Sequence, residues 1–127
     1  MTEKNTSRIP IKIILDGLGE AEGELTLFLA PRTVEAILRK LPLEDRANVW
    51  KEEVYFEVPI KMGTEKAKKL VEKGTMAYWP LGNSICIFFG ESQPYSPVNL
   101  IGKISKNLEL FRKVKNGIKV KVKKYSL

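Results

Sequence analysis

The chain has 127 residues, 43% hydrophobic and 29% charged, which suits one folded domain whose core needs neither disulfides nor a structural metal. It contains one cysteine and no histidine, which excludes an internal disulfide, a multi-cysteine metal site, a Ser-His-Asp triad and imidazole acid–base chemistry from its own residues. The net charge of +7 is uneven: acids and bases cancel over 1–111, and Arg112, Lys113, Lys115, Lys119, Lys121, Lys123 and Lys124 carry the whole excess.

Residues 1–8 read as a polar extension ahead of a single domain over 9–127. The stretch IPIKIILD (9–16) is β-branched and apolar, a strand, and the Gly-rich DGLGEAEG that follows reads as a hairpin loop. In GELTLFL (23–29), Leu25, Leu27 and Leu29 recur at period two. Val34, Ile37, Leu38 and Leu41 then form a helical stripe, with Thr33 the expected N-cap and Pro42 the stop. Residues 49–60 supply two strand-like pieces, of which VYFEV (54–58) is the stronger. TEKAKKLVEKG (64–74) reads as a short helix with Ala67, Leu70 and Val71 inward and Gly74 as its stop. Strands are expected at 76–79 and 84–89, around the Pro-Leu-Gly-Asn break of TMAYWPLGNSICIFFG. Another is expected in VNLIGKI (98–104), where Gly102 marks a bend or a close approach. Asn116-Gly117 would suit a hairpin turn, but the stripe Leu108, Phe111 and Val114 favours a helix that starts at Ser105. IKVKVKK (118–124) alternates Ile118, Val120 and Val122 with lysines, a half-buried strand. About eight strands and two main helices make a mostly β domain, a closed barrel with capping helices.

The polar start, MTEKNTSR, does not read as a signal peptide and no apolar run approaches the ~20 residues of a bilayer span, so a cytoplasmic protein is expected. Abundant Lys and Glu with a single glutamine lean towards a thermophile. No metal, cofactor or membrane partner is expected.

Candidate site residues cluster around TMAYWPLGNSICIFFG. Phe88 and Phe89 point to opposite sides of a strand, one inward and one towards a covering helix, and read as core. Cys86, between Ile85 and Ile87 and without a neighbouring cation, reads as a small buried hydrophobe of the barrel and not as a nucleophile. Tyr78, Trp79 and Asn83 lie at or beside the turn, nearer a barrel rim, where pockets form. Glu57, flanked by Phe56 and Val58, is a candidate partly buried carboxylate. Gln93 and Tyr95, on the Pro-punctuated loop GESQPYSP, complete the candidate pocket. Lys119, Lys121 and Lys123 are candidate anion contacts, behind a first-ranked reading as a solvated sheet edge that lysines protect from pairing.

GELTLFLAPRTVEAILRKLP resembles the strand and first helix of cyclophilins. NSICIFFG followed by VNLIGKI resembles their paired core strands, and SKNLELFRKVKNGIKVKVKK their second helix and closing strand. GTMAYWPLGNSICIFFG is similar to the signature of a compact prokaryotic branch of cyclophilin-like proteins of largely uncharacterised function. The resemblance runs from Ile9 to Tyr125 and implies an eight-stranded antiparallel barrel with a helix over each open end. Cyclophilins speed cis–trans isomerisation of the bond before proline, whose barrier is about 18–20 kcal/mol. They do so with an arginine that hydrogen-bonds the prolyl nitrogen and a groove that holds the proline ring. Aligned on that family, the arginine position falls on Glu57, an acceptor, and the pocket phenylalanine on Ile87. The family's histidine has no counterpart, and no arginine lies between Arg46 and Arg112. The resemblance thus implies a small-molecule or peptide binding protein without the usual prolyl isomerase residues. A weak or atypical isomerase is the alternative, and a nucleic-acid-associated protein acting through the basic C-terminal strand a further one. A protein partner or self-association is carried on analogy with cyclophilin-fold relatives that pair with enzyme subunits.

Overall fold

Alternation of apolar and polar side chains, punctuated by Gly, Asn and Pro, drives most segments into one antiparallel sheet. The structure is a computed structural model that describes residues 7–125. β1 (Arg8–Leu15) and β2 (Gly19–Thr26) form a hairpin, and a 3₁₀ turn (Leu27–Leu29) leads into α1 (Pro31–Lys40). β3 (Leu43–Arg46), β4 (Asn48–Trp50) and β5 (Glu53–Glu57) follow. An irregular segment then leads to β6 (Thr75–Trp79), a 3₁₀ turn (Pro80–Gly82) and β7 (Ser84–Phe88). β8 (Asn99–Lys106), a further 3₁₀ turn (Leu108–Lys113) and β9 (Lys119–Lys124) complete the order.

The strands lie in the order β3-β9-β1-β2-β8-β6-β7-β5-β4. The two end strands, β3 and β4, are separated in sequence by Ala47 alone. One continuous run therefore pairs first with β9 and then with β5, which draws the sheet round into a nearly closed barrel. Asn116 Oδ1 accepts from Val49 N at 2.7 Å and Arg46 donates to the Gly117 carbonyl at 2.9 Å across this seam. The interior is apolar, with Ile11, Ile13, Leu25, Phe56, Ile87 and Val120 all fully buried. At Gly102, in the middle of β8, a Cβ would overlap the Glu24 carbonyl oxygen, so this position is the expected close approach.

The described residues form nine strands and not the expected eight. The additional one, β3, has the sequence LEDR and no extended apolar alternation; it forms because β9 offers it a ladder, with Lys119 Nζ 3.2 Å from a Glu44 carboxylate oxygen. The same pairing corrects the reading of the basic strand as a sheet edge. β9 lies between β1 and β3.

The expected helix over each end is also corrected, because α1 is the single α-helix among the described residues. Segment 64–74 is irregular: Lys66 is left-handed (φ 50°), Lys68 pairs with Val98, and Leu70, expected inward, is 75% exposed. Near the C-terminus β8 runs through Ser105, Asn107 is left-handed (φ 64°), and the following turn is 3₁₀. Leu108, Phe111 and Val114 recur every third residue, which is the 3₁₀ period. α1 buries Val34 and Ile37 as expected, but Thr33 is not its N-cap. The side chain of Glu65 performs that role from a distance. Its two oxygens accept from Arg32 N at 3.0 Å, Thr33 N at 2.9 Å and Thr33 Oγ1 at 2.8 Å. Buried Asn99 holds the arrangement by accepting from Glu65 N and donating to Thr33 Oγ1. Burial raises the Glu65 carboxyl, but the hydrogen bonds from Arg32 and Thr33 outweigh it and leave its pKa below the ordinary value. Most of the expected polar extension lies outside the described residues, and Arg8 already belongs to β1.

Candidate functional site

Successive side chains of a strand point to opposite faces. On β5, β6 and β7, Val54, Phe56, Met76, Tyr78, Ile85 and Ile87 face the barrel interior. That leaves Glu53, Tyr55, Trp79, Cys86 and Phe88 on the outer face, where Ala77, Cys86, Phe88 and Val98 form a second, smaller apolar cluster. The β4–β5 hairpin turns on Lys51 and Glu52, with Lys51 left-handed (φ 53°), and this sets Trp50 opposite Glu53.

Loop 90–98 folds over this outer face and is pinned at several points. Glu52 Oε1 accepts from Glu91 N at 2.7 Å, and Ser92 Oγ accepts from Glu52 N at 3.1 Å. Gln93 grips the backbone of Val71, accepting from its N–H at 2.8 Å and donating to its carbonyl at 3.2 Å. Tyr95 is thereby carried edge-on to Trp50 (ring centroids 6.2 Å apart, 84° between planes) and to Trp79 (6.3 Å, 77°). Trp79 in turn meets Tyr55 edge-on at 5.9 Å and 84°. Its indole is oriented by Nε1–H donating to Ser96 Oγ at 2.7 Å. Gly82 leaves room for that ring, because a Cβ there would run into it. These four rings, with Glu53, Cys86, Pro94 and Val98, line a cavity of about 190 Å³.

Glu53 is the one carboxylate of the lining and is only 5% exposed. The Cys86 thiol shares the cavity wall with its carboxyl, and Oε1 has no hydrogen-bond partner among the described residues. Burial raises the Glu53 pKa to about 7 against the opposing effect of the Cys86 bond. Burial, and after it the charge and hydrogen bonding of Glu53, push the Cys86 thiol well up, which favours the protonated sulfur. Glu53 therefore exchanges between acid and carboxylate near neutral pH. It can accept a proton, accept a hydrogen bond or face a cation.

Of the six pocket residues singled out in the sequence, the structure brings Trp79 and Tyr95 together in the cavity wall. Tyr78 instead points into the barrel, donating to the Ile60 carbonyl at 2.7 Å and accepting from Met62 N at 3.1 Å. Burial raises its phenol pKa, with the Met62 bond opposing. Asn83 ends the Pro80–Gly82 turn in a left-handed conformation (φ 48°), with Oδ1 3.3 Å from the Tyr78 hydroxyl. Gln93 is the loop clamp. Glu57 is exposed at the end of β5 and does not line the cavity. Cys86, read as barrel core, is buried on the outer face instead, and Phe88 packs in the outer cluster and not against a helix. Phe89 does join the barrel core, with the Arg112 guanidinium 5.4 Å from its ring centroid. On β9, Lys119 pairs with Glu44, Lys121 lies opposite Ile14 and Glu44, and Lys123 lies opposite Lys12. Trp50, Glu53 and Tyr55 were not singled out. Period-two counting back from Glu57 puts Glu53 and Tyr55 on its face, whereas Trp50 is placed there only by the hairpin.

Among the described residues no helix is long and apolar enough to cross a membrane, and no three metal-binding side chains gather as a set. The strand order, the near closure of the barrel and the sequence agree on a class. The Cyclophilin-like family model matches residues 9–123, and the chain belongs to this cyclophilin-like family. It is similar to a hypothetical protein of Archaeoglobus fulgidus, AF2241, whose solution structure is 34% identical over 98% of this chain and 100% of that one, with a TM-score of 0.80. It also shares its fold with McbB, solved in complex with tryptophan, at 16% identity and a TM-score of 0.79, over 92% of this chain and 45% of McbB. No curated protein matches the chain.

Proposed function

We propose that this chain is a binding protein that takes a small organic molecule into the aromatic pocket on the outer face of β5, β6 and β7. The observation that carries this reading is convergence: Trp50, Tyr55, Trp79 and Tyr95 come from four separate segments and meet around one cavity beside a buried carboxylate. Aromatic walls with a few placed polar groups are the usual make-up of a ligand site, and a cavity of about 190 Å³ suits a ligand smaller than drug size. The pinned loop holds the wall in place before any ligand arrives, which lowers the entropy lost on binding.

Prolyl isomerisation is not the reading the geometry favours. Glu57 and Ile87, which align with the family's arginine and pocket phenylalanine, face opposite sides of the sheet, and no arginine lines the pocket. A protease-coupled assay on a prolyl peptide is expected to stay at the uncatalysed rate. Catalysis that disappears in a Tyr95→Ala variant would overturn this part of the reading.

Both tryptophans of the chain line the pocket, so intrinsic tryptophan emission reports on this site alone. Screening small amines, amino acids and indoles, tryptophan among them because McbB is solved with it, should produce saturable emission changes. The Gly82→Ala variant, which displaces the Trp79 ring, should weaken them. Emission that stays flat across the screen removes the pocket from consideration.

A further inference from the structure

A buried carboxylate without a full set of hydrogen-bond partners is costly, and a fold keeps such a group where something else completes it. Glu53 Oε1 is the one buried side-chain nitrogen or oxygen without a partner among the described residues, and it belongs to a side chain that lines the cavity. The cavity walls are ring systems, whose faces carry partial negative charge and attract cations. Lys51 places its ammonium 4.7 Å from the centroid of the Trp50 ring, so this ring already engages a cation.

The lining of the pocket itself carries charge of one sign only. Glu53 on β5 lines it together with the titratable Tyr55, the Cys86 thiol of β7 and Tyr95 of the loop, and neither lysine nor arginine does. Arg112, whose guanidinium reaches Glu52 in the β4–β5 turn, is engaged with Glu52, Glu109 and the ring of Phe89. An anionic ligand would therefore meet a carboxylate in a lining that holds no cation, the Lys51 ammonium being engaged with the ring of Trp50. A neutral hydroxyl would satisfy the hydrogen bond but not the charge, and a quaternary ammonium would satisfy the charge but has no N–H to donate. A protonated primary or secondary amine satisfies both.

We propose that the ligand class of the aromatic pocket is a small protonated amine whose N–H⁺ donates to Glu53 Oε1 while its apolar body lies among Trp50, Tyr55, Trp79 and Tyr95. This rests on the pocket being the binding site. The proton and the amine compete for one carboxylate, so binding tightens as pH rises through the range in which Glu53 ionises.

Benzylamine, benzyl alcohol and benzyltrimethylammonium form a matched series to titrate against tryptophan emission. Benzylamine is expected to bind tightest. With Glu53 half ionised at about pH 7, its apparent affinity should be about tenfold greater at about pH 8.5 than at about pH 6. Glu53→Gln should remove both the preference for the amine and its pH dependence. The comparison of the two pH values on the unaltered protein stands even if that variant folds poorly. If benzyl alcohol binds as tightly as benzylamine with no pH dependence, the amine assignment fails and the pocket survives. If benzyltrimethylammonium equals benzylamine, donation to Oε1 fails. If none of the three changes the emission, the pocket reading fails with it.

Discussion

The two faces of β5, β6 and β7 are built from the same three strands and treat buried polar groups in opposite ways. Facing inward, Tyr78 is fully buried, and its hydroxyl both donates to Ile60 and accepts from Met62. Facing outward, Glu53 is almost as buried, yet one of its oxygens has no partner among the described residues. The inner face is finished: apolar packing and complete hydrogen bonding leave nothing for a ligand to add. The outer face has packing, a cavity and one unmet acceptor. A buried polar group with all its partners belongs to the fold, and one lacking a partner beside a cavity is where a ligand contributes.

Three substitutions sharpen that contrast. The largest effect is expected inside the barrel: Phe56→Ala removes a fully buried ring and should cost about 3–5 kcal/mol in denaturant unfolding. Tyr78→Phe keeps the ring but strands the Ile60 carbonyl and the Met62 N–H, and the same measurement should register a loss of about 1–3 kcal/mol. An unchanged midpoint would mean that the inner face is less complete than its hydrogen bonds indicate. The smallest effect has the opposite sign. Glu53 has a folded-state pKa of about 7, above its ordinary 4.5, so the folded state holds this proton more tightly than the unfolded one. Its contribution is fully present below about pH 4.5 and is lost as pH rises through about 7, because the folded protein must then hold a desolvated carboxylate. Glu53→Gln does not ionise, so its Tm should match or exceed that of the unaltered chain at about pH 8, with the difference shifting against the variant towards about pH 4.5. A difference that is constant over this range would show that Glu53 is not buried as described.

Much of the barrel was legible in the chain. Apolar, β-branched or aromatic runs marked β1, β5 and β7, alternation with lysines marked β9, and the stripe Val34, Ile37, Leu38 and Leu41 marked α1, because burying one face of a strand or helix imposes such spacing. β3 escaped notice because LEDR shows no such alternation and its partner lies far along the chain in β9. The segment 64–74 has helical composition but is captured by tertiary bonds, Glu65 at the start of α1, Lys68 on Val98 and Val71 in the grip of Gln93. Of the site, Trp79 and Tyr95 stood out as aromatic residues beside a turn and on a loop. Glu57 was selected on the correct strand face, and the carboxylate in the cavity is Glu53, four residues earlier on that face.

By itself the sequence determined the class of fold, the absence of histidine chemistry, the lack of an arginine where the cyclophilin resemblance calls for one, and the alternation that assigns each strand residue to one face or the other. These are properties of composition and local spacing. Tertiary structure alone decided that β9 is an inner strand, that a remote glutamate caps α1, and that Trp50, Tyr55, Trp79 and Tyr95 close around Glu53. The reason is physical. Which face a side chain takes follows from its immediate neighbours, but whether that face is covered, and whether a buried carboxylate finds its partners there, depends on segments that only the folded chain brings together.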